Sequence, residues 1–226
     1  PLMLELHFEI HWPVLQRHPF FRCYAEVNLA AIRNVCHYAI TPFSVSKDDI
    51  LFSDMEVPRK PCMVFIVSGT LDYINVHNQV TPLTNKHWLC EATLWTTSWF
   101  HCGTLVATTD CRLLALDAQV FQKFVGADRI PYASEYASQF ANMLKLKPTE
   151  ELSDVGEYSA ELAEALGTVF PDEFAEVRHF FEPPSCAVGS RRSSTSILPE
   201  PATDHVQVRE IDSTDAGPSP SEAREA

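Results

Sequence analysis

Hydrophobic and polar residues alternate in short runs through the middle of the chain. In MVFIVSGTLDYINV, which starts at Met63, an apolar β-branched run stops at Ser68 and Gly69 and then resumes. This pattern predicts two short strands joined by a tight turn as a hairpin. Further strand-like runs cover residues 50–52, 71–76 and 103–108, and the apolar run CRLLAL precedes Asp117, which is expected to cap a helix.

Helical spacing of apolar residues occurs on both sides of these strands. Residues 2–21 combine that spacing with Pro13 and Pro19, which predicts short helices broken at both prolines. Residues 26–39 predict one further helix that would pack under the strands. After the strands, residues 120–125 and 134–146 predict two more helices.

The second of these later helices carries a stripe of large apolar residues. The stripe consists of Tyr136, Phe140, Met143 and Leu144. Such a stripe is typical of a core-facing surface more often than of a mobile lid.

These patterns predict an α+β fold that is mainly β: an antiparallel β-roll or jelly-roll flanked by N-terminal helices and two C-terminal helices. The predicted boundaries are 1–39 for the N-terminal helices, 40–147 for the roll with its helices, and 148–226 for an acidic, mostly disordered tail. Within the tail, residues 157–166 and 172–181 could form short acidic helices. The composition from Glu182 onward predicts disorder.

The net charge of −13 is concentrated in the tail. Residues 1–147 contain 13 acidic and 12 basic residues, whereas residues 148–226 contain 17 and 5. A near-neutral domain with an acidic appendage has no basic stripe for nucleic acid and would be repelled by anionic lipid. We therefore expect no nucleic-acid partner.

Cysteine usage and hydropathy indicate the compartment. The seven cysteines include no CxxC pair, which predicts reduced thiols in the cytosol. No apolar run approaches the roughly 18 residues of a membrane span, and no leader resembles a signal peptide. Because the chain begins at Pro1 without an initiator methionine, we expect it to be a fragment of a longer protein.

Three motifs occur in order: FIVSGTLDYI at 65–74, an aromatic-x-x-Glu-Ala step at 88–92, and ATTDCRLLALD at 107–117. Together they resemble the cyclic-nucleotide-binding domain at the cytosolic end of voltage-gated and cyclic-nucleotide-gated ion channels. The segment LHFEIHWPVLQRHPFF at 6–21 resembles the end of the linker that joins such a domain to the pore. The resemblance implies a domain on the cytosolic face of a membrane. Its partners would be the rest of the channel polypeptide and sister subunits of a tetramer.

In that family, backbone N–H groups of a short helix face the cyclic phosphate, a glutamate holds the ribose 2′-hydroxyl and an arginine pairs with the phosphate. The resemblance assigns ligand-binding positions to Leu89, Cys90, Glu91, Ala92, Thr93, His101, Cys102, Gly103 and Thr104. Glu91 would be the ribose contact, with cAMP or cGMP as the possible ligand. The alternative for Glu91 is an acid that caps the short helix and satisfies local N–H groups.

The chain departs from the family pattern at two of these positions. His101 stands where the family has arginine, and a neutral imidazole cannot form the guanidinium's paired charged hydrogen bonds. Such a loss costs about 1.5–3 kcal/mol, roughly a ten- to hundred-fold drop in affinity. Cys90 stands where the family has glycine, which adds steric cost near the phosphate. Trp95 and Trp99 crowd the same segment, as packing residues more often than as base-stacking ones.

These departures predict a regulatory domain that couples its conformation to a pore while its nucleotide site is degenerate. In such domains a segment after the last helix can fill the pocket, and Tyr158 or Phe170 could do so here. The alternative is a true cAMP or cGMP sensor, in a channel or in the regulatory part of a cyclic-nucleotide-dependent kinase.

Other chemistry receives little support from the sequence. Cys90 could act as a nucleophile with His101 as base, but nothing marks an oxyanion site or an orienting acid, so no enzyme and no cofactor are predicted. His7 and His11 lie one helical turn apart without an obvious third ligand, so no metal site is predicted. Ser194 follows two arginines and is a possible phosphorylation site, the alternative being a solvated tail.

Overall fold

A computed structural model describes residues 2–126, 131–157 and 159–170. The helices are α1 (Leu2–Leu15), α2 (Pro19–Val27), α3 (Leu29–Tyr38), α4 (Ala92–Trp95), α5 (Ala118–Val125), α6 (Tyr132–Leu146) and α7 (Ala160–Val169), with a 3₁₀ turn at Thr149–Glu151. The strands are β1 (Ile40–Val45), β2 (Ile50–Phe52), β3 (Cys62–Ser68), β4 (Leu71–Asn75), β5 (Val80–Leu83), β6 (Trp88–Leu89), β7 (Gly103–Ala107), β8 (Cys111–Asp117) and β9 (Val155–Gly156).

The strands form two antiparallel sheets, one in the order β1-β8-β3-β6-β9 and the other in the order β2-β7-β4-β5. Residues such as Ile66, Leu71 and Leu113 pack between the sheets. The other face of β3 contributes Met63 and Phe65 to a second core shared with α1, α2, α3, α5 and α6. The predicted α+β class, an antiparallel roll with flanking helices, is therefore confirmed.

The predicted hairpin around Gly69 is wrong. Strand β3 pairs with β8 and β6 in one sheet, whereas β4 pairs with β5 and β7 in the other. Gly69 adopts φ +95°, and a Cβ there would overlap the backbone of Asp110 and Cys111. The chain thus turns a tight corner between sheets, so that the residues on either side of Gly69 do not face each other.

Two helix boundaries also differ from the sequence predictions. Helix α1 continues through Pro13, which lies in its last turns. Proline has no N–H to donate to the Glu9 carbonyl, but Glu9 is exposed, so solvent can reach that carbonyl. The helix predicted over 26–39 is interrupted at Asn28, whose side chain accepts the Ala31 N–H at 2.9 Å and caps α3. The predicted break at Pro19 is present, since α2 begins there, and Asp117 caps α5 as predicted.

The described part of the acidic tail contains a short strand and a helix. Helix α7 buries Leu162, Ala165, Leu166 and Val169, a spacing that places all four on one face. Strand β9 joins the edge of the first sheet. The predicted helix at 172–181, the disorder from Glu182, Ser194 and Tyr158 lie outside the described residues. Among the described helices, none combines the length and apolar character needed to cross a bilayer.

Candidate functional site

A short segment after α6, residues 152–157, lies along the open edge of the first sheet; we call it the strap. Its strand β9 pairs with β6, with Trp88 opposite Gly156 and Leu89 opposite Val155. A Cβ on Gly156 would overlap the Trp88 indole, so only glycine allows this approach. The Cys90 N–H donates to the Asp154 carbonyl at 2.6 Å, which continues the pairing past the end of β6.

The Asp154 side chain points into the roll and is 2% exposed. Its Oδ1 accepts from Trp99 Nε1 at 2.7 Å and lies 3.0 Å from His101 Nδ1. Its Oδ2 accepts from the Cys102 backbone N–H at 2.6 Å and from the Tyr73 hydroxyl at 3.2 Å. Four groups around one buried carboxylate form an anion-binding arrangement, which the strap fills with its own side chain.

The position of His101 is fixed by both its backbone and its ring. Its N–H donates to the Glu56 carbonyl at 3.0 Å and its carbonyl accepts from the Met55 N–H at 2.8 Å. The imidazole stacks on Phe52, with ring centroids 3.7 Å apart and an interplanar angle of 8°. The ring is therefore held with Nδ1 toward Asp154.

Cys90 lies close to both His101 and Asp154. Its Sγ is 3.7 Å from His101 Nδ1 and 3.9 Å from Asp154 Oδ1, and its backbone has φ +59°, a left-handed conformation that costs a non-glycine residue about 1–2 kcal/mol. Burial and the Asp154 charge raise the pKa of the thiol well above its ordinary value. A catalytic triad needs the nucleophile and the acid on different imidazole nitrogens, but here both face Nδ1. This geometry gives no support to a Cys90 nucleophile.

The Glu91 carboxylate is buried beside the β6–α4 turn and is surrounded by protein donors. Oε1 accepts from the Tyr136 hydroxyl at 2.8 Å and from Trp95 Nε1 at 3.2 Å. Oε2 accepts from Trp88 Nε1 at 2.8 Å and lies 2.9 Å from His18 Nε2. We call these five residues the Glu91 network.

The electrostatics of this network favour an ionised Glu91. Burial raises the pKa of Glu91, but contacts with His18, Tyr136 and Trp88 outweigh burial and leave the pKa below its ordinary value. His18 Nδ1 accepts the Phe20 N–H at 3.2 Å, so the ring proton is on Nε2, close to Glu91 but outside hydrogen-bond alignment. Burial and Glu91 raise the pKa of Tyr136 well above its ordinary value.

The alternative role predicted for Glu91, a cap of the short helix, is wrong. Glu91 occupies the N-cap position of α4, but its side chain makes no capping hydrogen bond. Its carboxylate instead connects α2, through His18, with α6, through Tyr136. The ribose contact stays a prediction.

The other sequence-predicted site residues have structural roles in the described contacts. Thr93 Oγ1 donates to the Cys90 carbonyl at 2.8 Å, and Thr104 Oγ1 accepts the Asp54 N–H at 3.2 Å. A Cβ on Gly103 would overlap Tyr73. Leu89 and Ala92 are buried beside the turn.

A cavity of about 310 Å³ lies between α4, α6, the strap and α7. Both buried carboxylates, Glu91 and Asp154, contribute to its wall. Phe140, Met143 and Leu144 of the predicted stripe line it from α6. The volume is at the small end of the range for ligand pockets.

Sequence reasoning missed the acid that occupies the site. Asp154 is one of 17 acidic residues in the tail, and nothing local distinguishes it except the glycine two positions later. Phe170, suggested as a pocket-filling residue, instead packs on Phe20 and Tyr132. Helix packing also brings His37 Nδ1 to 3.1 Å from His7 Nδ1, a neighbour that the sequence spacing did not indicate.

No protein-family model and no curated protein matches this chain. Among solved structures, the sensor domain of the transcriptional regulator DNR from Pseudomonas aeruginosa is similar, with 14% identity and a TM-score of 0.47 over 62% of this chain and 89% of that one. A structure of cAMP-bound PfPKA-R has 16% identity and a TM-score of 0.46 over 67% and 52%. The C-linker/CNBHD of zELK channels has 14% identity and a TM-score of 0.39 over 45% and 60%.

Proposed function

We propose that this chain is a cytosolic regulatory domain of an ion channel, in which the strap serves as an internal ligand and the nucleotide site is degenerate. The observation that carries the proposal is the Asp154 carboxylate, buried among Tyr73, Trp99, His101 and the Cys102 N–H. The sequence resemblance assigns two of these positions, 101 and 102, to binding of a cyclic phosphate. An anion supplied by the chain itself therefore competes with any anion from solution.

Coupling to a pore is supported by the Glu91 network. His18 precedes α2 in the segment that resembles the end of a channel linker, and Tyr136 belongs to the helix that follows the roll. Both contact the same carboxylate, one residue from Cys90, whose N–H holds the strap. A change in the strap would thus alter contacts of the N-terminal helices through a short path.

The second candidate function is a true cAMP or cGMP sensor. It is favoured by the cavity beside Glu91, which α6 and the strap line together. In this case nucleotide would have to displace the Asp154 carboxylate from its donors. The strap would then regulate affinity instead of replacing the ligand.

Thermal-shift titration with cAMP and cGMP separates the two candidates. We expect no shift of the wild-type melting temperature at millimolar nucleotide, and a shift in the double variant Asp154→Ala with His101→Arg, which removes the internal anion and supplies the guanidinium. Ligand at a hundred times its Kd stabilises a fold by about 2.7 kcal/mol. The exposed strap residue Glu157, changed to Ala, provides a matched control.

A wild-type shift at micromolar nucleotide would overturn the degenerate site in favour of the sensor. If the double variant stays folded and its melting temperature does not shift with nucleotide, the assignment of the nucleotide site is contradicted. The channel role itself is tested on the full-length protein: Asp154→Ala should displace the gating curve relative to Glu157→Ala, and equal curves would refute coupling through the strap.

A further inference from the structure

Three different metal-ligand atoms converge where the strap meets the roll. Cys90 Sγ, His101 Nδ1 and Asp154 Oδ1 all lie within 4.8 Å of one another, and all three residues are buried. The separations are 3.0 Å from nitrogen to oxygen, 3.7 Å from sulfur to nitrogen and 3.9 Å from sulfur to oxygen. Thiolate, imidazole and carboxylate are the three ligand types that zinc takes in proteins.

These separations match the edges of a zinc coordination tetrahedron. With bonds of about 2.3 Å to sulfur, 2.05 Å to nitrogen and 2.1 Å to oxygen, tetrahedral angles give edges of about 3.4 Å for nitrogen to oxygen and about 3.6 Å for each edge to sulfur. The three observed distances differ from these values by about 0.4 Å or less. We propose that Cys90, His101 and Asp154 form a zinc site that fastens the strap to the roll.

Hydrogen bonding alone explains only part of this cluster. A proton shared between His101 and Asp154 explains their 3.0 Å contact, but it does not explain the thiol placed close to both. Cys90 adopts its positive φ at a position where glycine would be unstrained. Residues with a strained backbone conformation are found most often at ligand-binding and other functional sites.

The surroundings also suit a bound ion. Trp99 Nε1 donates to Oδ1, and the Cys102 N–H and the Tyr73 hydroxyl donate to Oδ2, which orients the carboxylate as outer-shell donors do at metal sites. A single carboxylate with sulfur and nitrogen disfavours calcium or magnesium, which need six or more oxygens. The fourth zinc ligand would be water or the half-buried Cys102 thiol.

Zinc binding requires that the ligand atoms carry no proton. The Cys90 thiol releases its proton to solvent and forms the Zn–S bond, and the His101 proton resides on Nε2 so that Nδ1 can bind. The ion then takes the place of the proton between His101 and Asp154. Because the ligands come from the β6–α4 turn, from the residues before β7 and from the strap, zinc would close a loop between distant parts of the chain.

Cobalt substitution tests the site directly. Titration of metal-free protein with Co²⁺ should give tetrahedral d–d bands and a sulfur-to-cobalt charge-transfer band that saturate at about one ion per chain and disappear on addition of Zn²⁺. Cys90→Ser should abolish the charge-transfer band, and Asp154→Asn should weaken binding at least ten-fold. Trp99→Phe, which removes the donor to Oδ1, should weaken binding by about 10–100-fold.

Two variants are matched controls. Cys62→Ser removes a cysteine from β3, and His37→Ala disrupts the histidine pair between α1 and α3. Both should leave the bands unchanged. A spectrum lost in either control, or retained in Cys90→Ser, would overturn the assignment.

Hydrogen exchange gives a second readout. Zinc should slow amide exchange in the strap, and a chelator should restore it, while Asp154→Asn should need at least ten-fold more zinc for the same protection. A folded wild type without tetrahedral bands and without this zinc-dependent protection overturns the site even if Cys90→Ser fails to fold. The nucleotide titrations use metal-free protein, so that failure of the zinc site leaves their outcome unaffected.

Discussion

Removal of the Glu91 carboxylate is the sharpest test of the network that connects the N-terminal helices with α6. In Glu91→Ala, Tyr136, Trp95 and Trp88 lose their buried acceptor, and His18 loses its contact. Each unsatisfied buried group costs about 1–3 kcal/mol. Since the pocket can relax and admit water, the costs of the individual groups do not add in full, and we expect a loss of about 3–5 kcal/mol of unfolding free energy.

Glu91→Gln refines this test because it keeps the shape of the side chain. One amide oxygen can serve two donors, but the NH₂ group must then face the other two, so we expect a loss of about 2–4 kcal/mol. Urea denaturation followed by far-UV circular dichroism is the suitable assay, because two tryptophans belong to the network and would confuse fluorescence. With an m value of about 2 kcal/mol/M, the midpoint should fall by roughly 1–2 M.

The control for both variants is Glu135→Gln, an exposed acid in the first turn of α6. It should change stability by no more than about 0.5 kcal/mol. A double-mutant cycle with Tyr136→Phe should give a coupling of about 0.5–3 kcal/mol with Glu91. If Glu91→Gln is as mild as the control, or if the coupling is absent, the buried network is not a source of stability and the proposed path between helices fails.

Three further predictions concern the same elements. Because the pKa of Glu91 is lowered in the folded state, its contribution to stability is present above the unfolded pKa near 4.5 and is lost as pH falls through the folded pKa. Glu91→Gln should therefore flatten the acid limb of the stability–pH curve. An unchanged acid limb would contradict an ionised Glu91 in the folded state. Gly156→Ala should force a Cβ into the Trp88 indole and raise amide exchange in the strap without unfolding the roll. If the strap exchanges as slowly as in the wild type, the close pairing with Trp88 is not needed. Asn28→Ala should remove the cap on the Ala31 N–H and cost about 1 kcal/mol by urea denaturation, with Asn28→Gly milder, and a loss below 0.3 kcal/mol would count against a capping role.

The fold class follows from local patterns, but strand pairing does not. Alternation around Gly69 predicts two strands and a turn, and both strands exist. Whether they face each other depends on pairing with β8 and β7, whose partner residues lie 28 to 55 positions later in the sequence. No local signal encodes that choice, because β3 is apolar on both faces and fits an interior position in either sheet.

In the candidate site, too, some residues were indicated by the sequence and one was not. The motif around Glu91 and the strand after it indicated Cys90 and His101 as neighbours, and the structure brings them together. Asp154 was not indicated, because an aspartate in an acidic tail looks like a solvated residue unless its contacts are known. Its burial depends on donors from residues 73–102, over 50 positions earlier.

The two buried carboxylates line the same cavity but contact different parts of the molecule. Asp154 belongs to the strap and contacts the roll, whereas Glu91 belongs to the roll and contacts α2 and α6. Cys90 connects them, since its N–H holds the strap and its neighbour carries the second carboxylate. Neither acid can move far without leaving buried donors unsatisfied, which costs several kcal/mol and favours two discrete arrangements over gradual displacement. Under the proposed function, an event that frees Asp154, such as binding of a competing anion, would therefore act one residue from the contact between Glu91 and His18.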